Sequence, residues 1–170
     1  MPKVSSKENK NIYFKTREQL GLTRESASDL LDGIPAEAIE KIENERRKPY
    51  PEEVVQMAEK YGNPELCNYY CSQQCDIGRK YVPEVKIKDL SKIVLEMLVS
   101  LNSMHKKQER FIEITADGEI SNDEMDDFVS IQEELEKISI TVETLQLWSE
   151  QMIASGKIDA EAYENRRKKK

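Results

Sequence analysis

Apolar residues recur at helical spacing in two blocks, one of short segments punctuated by glycine and proline, the other of long uninterrupted heptads. In the first block, Ile12 to Leu20 reads as one helix, with Ile12, Leu20 and one of Tyr13 or Phe14 turned inward. Thr23 then supplies an N-cap hydroxyl and Glu25 a carboxylate in the first turn, while Ala27, Leu30 and Leu31 at i, i+3 and i+4 give a second helix one apolar face. Gly33 breaks that helix, because glycine turns the backbone sharply without steric cost. Pro35 suits the start of a third helix, whose Ile39 and Ile42 set an apolar stripe against the second. Tyr50-Pro51-Glu52-Glu53 opens a fourth helix with Val54, Met57 and Ala58 as its core face, ended by Tyr61-Gly62. Asn63-Pro64-Glu65 repeats the start signal for a fifth.

The second block begins after Asp76 to Lys88, where Gly78 and Pro83 mark a linker. Asp89 caps a helix in which Leu90, Met97, Met104 and Phe111 recur every seven residues, joined by Ile93 and Ile114. A second run places Ile131, Ile138, Leu145 and Met152 at one heptad position and Phe128, Leu135 and Val142 at another. Two such series joined by a short turn predict an antiparallel helical hairpin over 89–155, each arm about 45 Å long. In the turn, Gly118 can end the first arm, and Ser121 with Glu124 forms a capping box for the second. The same turn matches the latter half of a calcium loop, but Glu113 and Thr115 stand where short Asp or Asn side chains reach the ion. Ile93 to Leu101 is apolar nearly all round, so more surface than one partner arm can cover should meet a second subunit or the N-terminal domain. A symmetric dimer forming a four-helix bundle is the preferred expectation, with Leu147 and Trp148 near the patch as packing residues.

Residues 1–11 read as a flexible arm and 156–170, ending in Arg166, Arg167 and three lysines, as a basic flexible tail. Hydrophobic content of 38% and charged content of 35% suit elongated helices with a modest core, and strand-like alternation is hard to find, so the expected class is all-α. A formal net charge of −7 means that bulk charge attracts no nucleic acid; affinity for it must come from a local patch. No secretory leader and no apolar run long enough for a bilayer is visible, which predicts a cytoplasmic protein without membrane contact. One histidine, no glycine-rich phosphate loop and no nucleophile motif predict no enzymatic activity.

The order Leu22-Thr23, Leu30-Leu31, the Gly33-Ile34 turn, Ile39, and Lys41-Ile42-Glu43-Asn44 followed by a basic segment to Pro49 resembles the helix-turn-helix of Cro and lambda-repressor type regulators, the XRE family. The resemblance runs from about Asn11 to Tyr70. It implies a lambda-repressor-like five-helix DNA-binding domain over 12–75, ahead of the two-helix hairpin, in a bacterial or phage-like transcriptional regulator. It also implies a dimer on double-stranded DNA, the N-terminal residues of the third helix meeting base edges in the major groove. Base-edge positions then fall on Ala36, Glu37 and Glu40, with Lys41 and Asn44 beside them. Arg24, Arg46, Arg47 and Lys48 are placed for phosphates.

Three features depart from the family pattern. Asp32 adds a residue to the turn, the recognition face carries Glu37 and Glu40 where small polar or basic residues are usual, and Glu45 stands where a glycine is usual. Carboxylates repel phosphate and accept only from cytosine N4 among major-groove edges. The alternative is therefore a helical protein-interaction module, an acidic version of the fold that does not bind DNA.

Cys67, Cys71 and Cys75 follow at i, i+4 and i+8 in the fifth helix, which lines the thiols up on one face. Buried, redox-inert thiols are one reading. If the helix ends near Cys71, Cys75 could instead fold back toward a zinc ion or iron–sulfur cluster, although no common four-ligand spacing is present.

Overall fold

The computed structural model describes residues 10–169. Of the arm expected at 1–11, only Lys10 and Asn11 fall within them. All regular structure among the described residues is helical: α1 (Ile12–Gln19), α2 (Arg24–Leu30), α3 (Ala36–Glu43), α4 (Pro51–Tyr61), α5 (Glu65–Tyr69, continued by a π-helical turn over Tyr70–Gln74), α6 (Gly78–Tyr81), α7 (Leu90–Ile114), α8 (Met125–Ala154) and α9 (Ala160–Arg167). The chain divides into two compact units. One runs to Val82 and resumes at Glu150; the other is Pro83–Ser149.

In the first unit the short helices are held by the caps that the sequence supplies. Asn11 accepts the Phe14 N–H at the start of α1, and Thr23 accepts the Ser26 N–H at the start of α2. At α4, Pro51 occupies the first turn and the Glu53 carboxylate accepts the Tyr50 N–H. Pro35 lies one position earlier than expected, as the N-cap of α3. The core gathers Tyr13, Ala27, Leu31, Ile34, Ile39, Ile42, Val54, Met57 and Leu66, with Tyr61 at its edge. Tyr13 rather than Phe14 is the buried aromatic of α1, and its hydroxyl donates to Gln74 Oε1. Leu20 and Leu30 are exposed. Helix α2 therefore buries Ala27 alone, with Leu31 buried at its C-cap, a narrower stripe than the three apolar residues suggested.

Three C-terminal features were not legible as structure. Gly78 sits so close to the π-helical turn that a Cβ there would lie 2.1 Å from the Cys71 carbonyl oxygen, so the expected linker contains a packed helix, α6. Gln151 Nε2 donates to the Gly62 carbonyl at 3.2 Å, which ties the end of α8 to the end of α4. The residues expected as a flexible tail include α9, because Asp159 accepts the Ala162 N–H as its N-cap.

The second unit is an antiparallel hairpin of α7 and α8. Lys107 Nζ donates to Ser130 Oγ and its carbonyl, and Arg110 Nε to Asp127, so residue numbers fall along one arm as they rise along the other. Its buried seam is half polar: Ile93, Ser100 and Ile114 from α7 meet Ile131, Glu134, Thr141, Thr144 and Leu147 from α8. Of the heptad residues singled out by sequence, Ile93, Ile114 and Ile131 lie in this seam, while Leu90, Leu135 and Val142 are exposed. In the turn the Glu124 carboxylate accepts from the Ser121 N–H and hydroxyl, but α8 starts at Met125, three residues after the Asn122 that a Ser121 cap would place first, so these bonds tighten the turn ahead of the helix. No helix among the described residues is long and apolar enough to cross a membrane.

Candidate nucleic-acid interface

Helices α2 and α3 are joined by Leu31 to Pro35. Leu31 and Ile34 are buried, Gly33 has φ +90°, and Ser28 Oγ donates to the Ile34 carbonyl at 2.9 Å. The surplus residue Asp32 is accommodated on the outside, where its carbonyl accepts from Gln56 Nε2. Turn and helix are thus fixed to the core by Leu31, Ile34, Ile39 and Ile42, which leaves one edge of α3 open.

That edge carries the residues proposed for base contact. Glu37 is exposed, Ala36 and Glu40 are half-exposed, and Lys41 is exposed one turn beyond Glu37. The Glu37 and Lys41 charges are already paired, since Lys41 Nζ lies 2.8 Å from Glu37 Oε1. That bond holds the Glu37 carboxyl below the usual carboxylate range. Asn44 does not project outward; its amide donates to the Glu40 carbonyl at 2.9 Å and to Glu40 Oε1.

The basic residues divide into structural and available groups. Arg24 Nε donates to Glu43 at 2.8 Å. Arg17 also reaches Glu43, through Nε and a second bond of 3.0 Å from its terminal nitrogen. The Arg17 and Glu43 side chains are only 8% and 1% exposed, so one buried carboxylate compensates two guanidinium groups. Burial is the largest influence on Arg17 and lowers its affinity for its proton, but the bond to Glu43 and the Glu43 charge together outweigh it and the net shift is upward. Tyr61 borders the pair, its pKa pushed up to about 12 by burial and by the Glu43 charge. Sequence inspection missed this pair. Its signal was an arginine four residues after Tyr13 and a glutamate four after Ile39, opposite charges on the buried faces of two helices.

Arg47 grips Glu53 through two bonds of 2.6 and 2.8 Å, and Glu53 also closes the start of α4. Burial alone would raise the Glu53 carboxyl, yet the bonds from Arg47 and the Tyr50 N–H hold it low. Lys48 donates to the Gln74 carbonyl at 2.9 Å. Arg46 is the loosest of the four, its side chain 64% exposed and 3.5 Å from Glu40.

The end of α3 is a Schellman motif: the Arg46 N–H reaches the Lys41 carbonyl and the Glu45 N–H the Ile42 carbonyl. Glu45 supplies the left-handed residue, with φ +58°, where glycine would be unstrained. This geometry throws Arg46 out past the end of α3.

The three cysteines are half-buried. The helix does not break near Cys71. Cys75 N–H bonds to the Tyr70 carbonyl, which carries the helical path to Gln74 and leaves Cys75 with extended backbone. No group of three or more His, Cys, Asp or Glu among the described residues is placed to hold a metal ion. Burial pushes the Cys67 and Cys71 thiols up, and each is raised further by the next thiol along.

Residues 15–65 match the family model described as Helix-turn-helix. No curated protein and no solved structure matches the chain.

Proposed function

On the premise that residues 15–65 are a helix-turn-helix domain of the XRE type, we propose that the chain is a transcriptional regulator that binds operator DNA sequence-specifically as a homodimer. The family is one of DNA-binding regulators; the operator contacts and the dimer are the finer steps. The reading rests chiefly on the open edge of α3, held rigid by its buried side, with Arg24 and Arg46 both near its C-terminal end, where they pair with Glu43 and Glu40. Glu37 and Glu40 are the specificity residues, accepting from cytosine N4 in the major groove. Arg46 is the principal phosphate contact. Its exposed pair with Glu40 is worth at most about 1 kcal/mol, so exchange for a phosphate costs little. Arg24, Arg47 and Lys48 contribute field from fixed positions while serving the fold.

The internal pairing of these cations favours a second reading, a protein-interaction module that presents the acidic edge of α3 to a basic partner. Salt dependence separates the two. Fluorescence anisotropy on duplexes selected from a random pool should show binding that weakens steeply with salt. Arg46→Ala should weaken all duplexes alike and reduce the slope by about one, whereas Glu40→Ala should alter sequence preference. Absence of duplex binding at low salt rejects the regulator.

A further inference from the structure

We infer that the hairpin pairs face to face and head to tail with the hairpin of a second copy, through an apolar face that its own two arms leave open. The reading deepens the dimeric regulator proposed above and rests on it.

The two arms meet through Ser100, Lys107, Glu134, Thr141 and Thr144 as much as through Ile93 and Ile131. Directly after the buried positions come Val94, Leu101, Leu135 and Val142, all exposed, with Leu98 one turn on from Val94. In antiparallel helices the residue following a seam position leans to the same side of both arms, so these side chains share one face. Leu90, Met97, Met104 and Phe111, with Ile138 and Leu145, extend it. Together they make an apolar face along both arms, of the kind that marks an interaction site and not scattered surface residues. Apart from Ile93, Ile114 and Ile131, which the hairpin itself buries, the sequence heptads are therefore the core of a four-helix assembly.

Charge sets the direction. Residues 113–127, around the turn, carry seven carboxylates and no lysine or arginine. Tip-to-tip pairing would oppose seven carboxylates with seven more. Head-to-tail pairing sets each tip instead beside the other end, where Lys86, Lys88 and Lys92 are balanced by Glu84, Asp89 and Glu96, so the acidic tip meets a near-neutral surface and not a second acidic one. The chain enters the hairpin at Pro83 and leaves at Ser149, both at that lysine end. Head-to-tail pairing thus separates the entry points of the two copies by about the length of the 25-residue arm, ~37 Å.

Sedimentation of the full chain should give a dimer. Leu98→Glu with Val142→Glu should yield a monomer of unchanged helical circular dichroism, and Val99→Glu with Ile140→Glu, on the opposite side, should leave the dimer intact. Carbodiimide coupling of the wild-type dimer, followed by peptide mass spectrometry, should join Lys86, Lys88 or Lys92 to a carboxylate of 113–127. Lys92 and the turn are separated by about 33 Å of helix within one copy, so that product must be intermolecular; the Lys137–Glu134 product is the internal control. A monomeric wild type, a dimer broken only by the Val99/Ile140 variant, or a dimer without lysine-to-tip products overturns the inference. A head-to-tail dimer that binds no duplex sinks the operator reading alone, and a monomer that binds duplex sinks only the pairing.

Discussion

Replacing Glu43 by alanine is the most severe test of how α1, α2 and α3 are held in register. The carboxylate is 1% exposed and accepts from Arg17 and from Arg24, while Arg17 itself is 8% exposed and also donates to the Leu22 carbonyl. Deleting one member of a buried pair strands the other charge without water, a loss of about 3–5 kcal/mol. Domains of this size have about 5–15 kcal/mol in total, so the variant should open the first unit measurably at room temperature. Urea titration read by amide hydrogen exchange in peptides covering 12–19 and 36–43 isolates that unit from the hairpin. Glu43→Gln, which keeps an acceptor but not the charge, should fall between. The combination Arg17→Met with Glu43→Leu removes both buried charges and should return to within about 1 kcal/mol of wild type or exceed it. An alanine variant costing less than about 1 kcal/mol, or a double variant no better than the single, would refute the claim that charge compensation rather than packing fixes these helices.

Other expectations follow from local geometry. Glu45→Gly should stabilise the first unit by about 1 kcal/mol in urea unfolding, since φ +58° costs a side chain and not glycine. Gly78→Ala should destabilise by at least about 2 kcal/mol, because the added carbon meets the Cys71 carbonyl and no side chain can yield. The Cys67 and Cys71 thiols, raised by burial above their ordinary 9.0, should alkylate more slowly at neutral pH than a free thiol. Their folded pKa exceeds the unfolded one, so their contribution to stability is complete below pH 9 and is lost as pH rises through the folded value. Urea midpoints compared at pH 8 and pH 10 check the sign.

Local chemistry set the helical elements. Thr23, Asn63-Pro64, Pro51 and Gly62 act on the few residues next to them, and the apolar spacing of Ile39 and Ile42 names the buried side of α3 without reference to anything distant. The acidity of the recognition edge was equally visible, because a helix with one face buried must show the other. Tertiary structure decided which charges are free. Arg24, Arg47 and Lys48 look like phosphate contacts as a string, yet Glu43, Glu53 and the Gln74 carbonyl, 19, 6 and 26 residues away, occupy them. It also decided what the heptads do. Period fixes that Leu135 and Val142 share a face of α8, but whether that face meets the other arm depends on which positions of α7 and α8 pair. Here the hydrogen bond from Lys107 to Ser130 and the ion pair from Arg110 to Asp127 turn the polar seam inward and leave the apolar face outside.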